Sequence, residues 1–592
     1  MKNSAQTPQI PAKRSLGTYA LASALALLLV SAHHAQAQST EMETLPVEAP
    51  AQMEALPETI SDPSPSAIET AVELSPEIES LGYVPREDQR SLGGDLFRES
   101  TRSALIELIK DQPAVSQSEV LQKLTNQVLL TAAMTTELAT NEPAMAGNDL
   151  LTFRMEKMLD RGLYAETAGI YSKLNVDPYH ERFAAAGLTS LIMTGKKALA
   201  CVDVKTFYGN RNDTERWKNF NLYCQYVIAS SESPQKFEIS KDETDISLIL
   251  RNITTTPSYT LAYSPQVFET LSQFDRALLL AENRLTLDAQ ALDGGVKIPP
   301  NHIQALLQIP SLNLDTQLRL ISEGTKTGTV SDRAVLDFYR TTKIDDKTTG
   351  SAADLIRIFK KLKSKDESTD VPALIKQTIR LSKSYGPSAL IPFLPEIETL
   401  PPSLLEPEEV ETTLSAFLAA GRQVSPGWLD SAMNPDSAPL EKSTMLYKRL
   451  LILGYLLSAP ESRTPENQSE ILSLLEQGKT PALPPMRYII ENIDKTAPPL
   501  NNEAKVYENG FDSTQNTGYT MPSAQLITRL QSASQKNAIG ETILLSNLVF
   551  RDASAETPSP DALIEVTDSL KRIGLNDKSL ALTAETVLAA IK

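Results

Sequence analysis

Histidine and cysteine are nearly missing from this chain of 592 residues, with four of the first and two of the second. His33 and His34 fall in an N-terminal export-like segment, which leaves His180 and His302 for the folded body. Neither stands in HExxH or another short ligand spacing, so a histidine-built metal centre has little to work with. Each follows a proline-containing break, Asp177-Pro178-Tyr179 or Pro299-Pro300-Asn301, where a helix is expected to start and a surface or packing role is the reading. No GxxxxGK[ST] loop occurs; Gly324-Thr325-Lys326-Thr327-Gly328 lacks both the spacing and the following Lys-Ser/Thr. The dinucleotide GxGxxG, the GxSxG nucleophile elbow and the EF-hand pattern are missing too. Asp345-Asp346 and Asp366-Glu367 read as solvated loops rather than calcium sites. The expectation is therefore no catalytic, cofactor-binding or metal-binding residue, and no enzyme.

Strand signals are equally scarce. Phe237 to Leu250 alternates in part, but charge runs through it. Past the N-terminus no apolar run reaches spanning length; the nearest, Leu450 to Leu457, reads as a buried helix. Basic residues are missing altogether from Gln38 to Ser80, which holds ten acids and six prolines. Self-repulsion and lost backbone donors oppose a core there, so an extended, disordered tether is predicted.

What is present begins with the export signal. Lys13 and Arg14 precede an apolar run from Leu16 to Val30, and Ala35-Gln36-Ala37 supplies the small-x-small step of a cleavage site. Cleavage would leave Ala37 behind and make Gln38 the mature N-terminus, placing the protein in the periplasm. The alternative is an uncleaved signal anchoring it to the inner membrane. Loss of Lys2, Lys13 and Arg14 takes the formal charge from −18 to −21, which repels nucleic acid and anionic membrane surfaces. Expected partners are envelope proteins, with no nucleic acid and no stable membrane insertion after cleavage.

In an oxidising compartment the pair Cys201 and Cys224 invites a disulfide. Lys196 to Tyr208 and Thr214 to Ala229 read as helices around the turn Gly209-Asn210-Arg211-Asn212-Asp213. Folded as an antiparallel hairpin, they set both cysteines about three turns from the bend, at matching heights. No CxxC spacing occurs, so a thioredoxin-like redox role is unsupported.

From Ser91 onward the apolar period is helical. Leu105, Leu108 and Ile109 form one stripe, and Leu121, Leu124 and Val128 another, with Ser116-Gln117-Ser118-Glu119 as the start of the second helix. Arg161-Gly162-Leu163-Tyr164-Ala165-Glu166-Thr167-Ala168 recurs in outline as Thr194-Gly195-Lys196-Lys197-Ala198-Leu199-Ala200, each glycine closing one helix and opening the next. Gly162, Tyr164, Ala168, Tyr171 and Pro178, then Gly195 and Ala200, resemble the tetratricopeptide-repeat family. The resemblance covers Asn148 to Tyr208 and implies stacked helix pairs that hold peptides or partner proteins. The segment with Ala200-Cys201, Trp217 and Tyr223-Cys224 is also similar to large exported helical proteins of alphaproteobacteria, a likeness that implies no activity.

The predicted fold is all-α, an irregular tetratricopeptide-like helical-hairpin solenoid. Its expected segments are a signal over 1–37, an acidic linker over 38–90, and a helical domain with the disulfide hairpin over 91–230. A solenoid continuation over 231–400 and a C-terminal helical domain over 401–592 follow. Proline-rich joints at Pro387 to Pro402 and Pro481 to Pro485 are expected hinges, Lys495 to Pro522 a polar loop, and the last two helices a terminal cap. Glu99-Ser100 matches the dipeptide of lytic transglycosylases and is expected on a helix, but the Gly-Leu-Met-Gln-type stretch of that family is missing. Trp217 is expected to pack, whereas Trp428 is open to packing or to stacking on sugar. The function expected is a non-catalytic periplasmic interaction scaffold, the alternative a peptidoglycan-binding or glycan-cleaving envelope protein.

Overall fold

In a computed structural model of the protein the described residues are 73–140, 143–174, 180–208, 214–232, 246–287, 297–364, 370–422, 424–425, 427–429, 444–477, 483–494, 522–551 and 560–590. The signal with its Ala37/Gln38 step, the linker up to residue 72, the turn 209–213, Asp366-Glu367, Pro481 and the loop 495–521 lie outside them.

The first part holds α1 (Pro76–Glu79), α2 (Arg102–Asp111), α3 (Glu119–Leu130), α4 (Leu150–Asp160), α5 (Tyr164–Tyr171), α6 (Glu181–Met193), α7 (Lys197–Tyr208) and α8 (Glu215–Glu232). The middle holds α9 (Leu248–Thr255), α10 (Pro265–Thr270), α11 (Gln273–Ala281), α12 (Ile303–Leu306), α13 (Leu314–Thr327), α14 (Asp332–Thr341), α15 (Ser351–Lys363), α16 (Val371–Ser382) and α17 (Leu394–Ile397). The last part holds α18 (Pro407–Ala420), α19 (Met445–Leu457), α20 (Pro465–Gln477), α21 (Leu483–Glu491), α22 (Ala524–Gln535), α23 (Ile539–Val549), α24 (Pro560–Arg572) and α25 (Asn576–Ala590). Strands among the described residues are two-residue pieces: β1 (Glu73–Leu74) pairs antiparallel with β2 (Ala144–Met145), and β3 (Leu261–Ala262) parallel with β4 (Leu285–Thr286). The protein is all-α.

Local chemistry explains many helix starts. Thr101, Ser118, Asp149, Ser272 and Asn313 each accept a hydrogen bond from the backbone three residues on, satisfying a first-turn donor. Other helices are capped from afar. α5 begins without a capping side chain of its own, and Gln304 of α12 accepts from Ala165 N at 3.2 Å. α15 begins at Gly350, and Asp315 of α13 accepts from Ala352 N at 2.9 Å. Packing and capping are thus one act at these positions.

The expected helix pairs are present, while Pro178 of the repeat pattern lies outside the described residues. α4–α5 and α6–α7 are helix pairs turning at Gly162 and Gly195, both with positive φ, at 76° and 75°. The two glycines differ in one respect. A Cβ on Gly162 would collide with the Asn301 carbonyl, while one on Gly195 would meet nothing. Two buried arginines lock α4 to its neighbours: Arg154 donates to the carbonyls of Leu81, Leu129 and Thr131, and Arg161 to Asn126 Oδ1 and the Gln122 and Pro113 carbonyls. Burial pushes Arg154 down to about 10 and Arg161 down to about 9, so both keep their charge at neutral pH.

Several expectations need correction. The linker does not run to residue 90. Leu74 and Val84 are buried, and Glu79, fully buried on α1, pairs with Arg102 at 2.9 Å and accepts from Leu150 N at 3.0 Å. An acid with two such partners repays its desolvation, so the composition argument fails there. Pro387 to Pro402 is no hinge: its 3-10 turn, Pro387–Phe393, and α17 bury Ala389, Leu390, Phe393, Leu394 and Ile397. Prolines that end regular helices also lower the entropy of the unfolded chain, and here they shape core rather than joint. Leu248 to Leu250, read as part of an alternating stretch, opens helix α9.

The terminal pair α24–α25 is not an outward cap. Gln112 Nε2, at the end of α2, donates to Leu544 O of α23, 432 residues away, and Ser118 Oγ donates to Glu585 of α25. The described chain returns on itself. One contiguous cluster of buried apolar side chains runs from Leu96 to Leu582, across the expected boundaries at 230 and 400, so neither is a break in the core. A smaller cluster joins α19, α20, α21 and α25.

Candidate functional site

Cys201 of α7 and Cys224 of α8 form a disulfide, with Cα atoms 5.2 Å apart, as the hairpin geometry predicts. Both are nearly buried. The two helices are held very differently on their far sides. α8 buries Trp217, Phe220 and Tyr223; Phe220 and Tyr223 meet Phe274 of α11 edge to face, with ring centroids 5.1 and 6.3 Å away. Tyr223 Oη donates to Glu282 at 2.9 Å, and Lys197 Nζ reaches the same oxygen at 2.9 Å. α7 buries Ala200 and Val204 but leaves Leu199 47% and Val202 61% exposed, one turn apart beside the disulfide. This is a stiffened hairpin with an apolar outer stripe. It can offer contact area to another macromolecule at little ordering cost.

A second constellation was not anticipated. His302, expected at a helix start, is there and fully buried. Its Nε2 lies 2.6 Å from Glu269 of α10, and its Nδ1 lies 2.9 Å from Tyr263 Oη. Arg276 of α11 stands 3.7 Å from the same Glu269 oxygen, donates to the Phe268 and Glu269 carbonyls, and lies over the Phe268 ring. Burial works against the Glu269 charge, but the His302 hydrogen bond and the Arg276 charge outweigh it and hold the carboxyl below its usual range. Burial pushes His302 down against the pull of Glu269, and pushes the Tyr263 phenol up. An ionised Glu269 only accepts, so His302 donates from Nε2, and Nδ1 accepts from Tyr263. The order resembles a nucleophile–base–carboxylate relay. Its chemistry runs the other way: the phenol is made less acidic and the half-exposed end is the carboxylate. The network fastens β3, α10 and the start of α12 together. Sequence could not signal it, since its members stand up to 39 residues apart with no fixed spacing.

The remaining candidates fall as follows. Glu99 is not on a helix; it sits in a turn at φ 63°, and Ser100 beside it is buried. Trp217 is fully buried, as expected, and Trp428 is 1% exposed against Phe417, so neither presents a face to sugar. His180 caps α6 through Nδ1, which accepts from Arg182 N at 3.2 Å. Asp345 closes its own loop by accepting from Lys347 N, Thr348 N and Thr348 Oγ1. Among the described residues no helix is long and apolar enough to cross a membrane.

No protein-family model, no curated protein and no solved structure matches this chain.

Proposed function

We propose that the protein is a non-catalytic, exported scaffold of tetratricopeptide-like helix pairs that holds other proteins of the cell envelope, in the periplasm after loss of its signal. The observation that carries this is the pairing of Leu199 and Val202, exposed one turn apart, with a disulfide that fixes the helix bearing them. Full burial of a large apolar side chain gains about 1.5–3 kcal/mol, and Leu199 and Val202 are each about half exposed, so covering the pair contributes about 1.5–3 kcal/mol in total. The mature charge of −21 directs the surface toward proteins and away from nucleic acid or anionic lipid. The disulfide is compatible with an oxidising compartment.

The competing reading, a glycan binder or glycan-cleaving enzyme, draws no support from Trp217, Trp428 or Glu99 as placed. The test is affinity purification of the full chain from its native envelope, wild type beside the double variant L199E/V202E, with mass spectrometry of what co-elutes. The scaffold reading expects defined proteins with the wild type that are lost with the variant. Identical recovery from both, or saturable binding of purified cell-wall glycan, overturns it.

A further inference from the structure

One stretch reverses the charge of the chain. Acids outnumber bases 74 to 56 overall, but between residues 342 and 363 six bases stand against three acids. The fold gathers them. The loop from Thr342 to Gly350 is held along α15 by two side chains of that helix. Lys360 Nζ donates to Thr342 O at 2.9 Å, and Arg357 donates to Asp345 O at 3.0 Å and to Thr348 O. Arg357, Lys360 and Lys361 stand at i, i+3 and i+4, on one face of the helix. The loop brings Lys343 and Lys347 to that same face.

Lys343, Lys347, Lys360 and Lys361 are exposed, and none has a carboxylate partner among the described residues. Two of the three acids are already engaged. Asp345 folds back on its own loop, accepting from Lys347 N at 3.1 Å and Thr348 N at 2.7 Å, and Asp354 pairs with Arg357 at 2.8 Å. The third, Asp346, is exposed. Helix chemistry accounts for part of this arrangement. Lys360, Lys361 and Lys363 lie in the last turn of α15, where the dipole favours cations, and Lys363 pairs with Glu396. The dipole gives no reason for two more lysines on the loop laid against that face, where like charges repel.

We propose that the face formed by Lys343, Lys347, Lys360 and Lys361 is a docking site for an extended acidic segment of a partner protein. It lies on other elements than the Leu199–Val202 stripe and does not depend on it. Two arguments select this occupant. A segment rich in carboxylates supplies the partners that four ammonium groups lack, and lysine, with its flexible stem and rotatable donors, reads charge without demanding a fixed geometry. Width decides the rest. Charge is screened beyond about 8 Å at physiological salt. A peptide strand, about 10 Å through its side chains, therefore feels this face and little of the acidic surface around it. A membrane or a nucleic-acid duplex covers far more and meets the negative remainder of the protein.

The test is fluorescence anisotropy of a labelled peptide of alternating glutamate and serine, about 12 residues long so that it spans roughly 40 Å, titrated with the full chain. Saturable binding is expected at low salt. It should weaken roughly tenfold as the screening length falls from about 30 Å at 0.01 M to about 8 Å at 0.15 M, a result that needs no variant. The matching glutamine–serine peptide should not bind. Lys347→Glu with Lys361→Glu should weaken binding roughly tenfold or more, since like charges then face the peptide. Lys297→Glu with Lys536→Glu makes the same change of net charge at two exposed lysines elsewhere and should alter binding little. No saturable binding, indifference to salt, equal binding of the neutral peptide, or equal loss in both double variants would each overturn the proposal. So would phosphatidylglycerol vesicles bound as tightly as the peptide.

Discussion

Replacing Cys201 and Cys224 together by serine should loosen one helix of the hairpin far more than the other. The bond closes a loop with a sequence separation of 23, for which loop-closure entropy gives about 3 kcal/mol. What remains after its loss is lopsided. α8 keeps Trp217, Phe220 and Tyr223, each fully or almost fully buried, and each worth about 1.5–3 kcal/mol. α7 keeps Ala200, Val204 and the partly exposed Lys197–Glu282 pair, which counts for about 1 kcal/mol. The loss should therefore fall on α7. In exchange experiments on the full chain, 3 kcal/mol corresponds to roughly a hundredfold increase in opening. That increase is expected in α7, with α8 changing less and α4 and α23 holding their wild-type protection. Titration of the oxidised wild type under denaturing conditions should find no free thiol. Equal loosening of both helices, no change in α7, or loss of helical signal throughout the chain would refute the reasoning.

Two further expectations separate local from distant causes. Gly162→Ala should destabilise by several kcal/mol, because positive φ and a collision with the Asn301 carbonyl combine. Gly195→Ala, with the same φ and open space, should cost about 1–2 kcal/mol; similar thermal shifts for the two would contradict the packing account. The His302 network should lose stability on acidification. Its folded value lies below the usual 6.5, so the folded body binds fewer protons, and stability present above 6.5 is lost as pH falls. Exchange at α10 and α12 should rise from pH 7 to pH 5, and constant protection there would contradict the assignment.

What sequence could reveal divides by the distance over which each cause acts. The turns at Gly162 and Gly195, the helix starts at Ser118 and His180, and the facing cysteines are set by neighbours within a few turns, and spacing alone exposes them; that His180 caps its helix was seen only in the structure. The packed role of Trp217 was also readable, because its helix was. Long-range partners left no such mark. Gln304 caps α5 from 139 residues away, and Glu585 reaches α3 from the far end of the chain. The acidic, proline-rich composition that predicts an extended linker says nothing of Arg102, which makes Glu79 part of the core. Proline counts misled in the same way at Pro387 to Phe393, where prolines end helices without freeing them from packing.

Export is the claim on which the disulfide, the compartment and the choice of partners all rest. The most direct measurement of it is the intact mass of protein purified from the envelope without reductant, before and after alkylation. The expected mass is that of residues 38–592 less two hydrogens, unchanged by alkylation until a reductant is added. A mass that includes Met1, or the uptake of two alkyl groups without reduction, would contradict it.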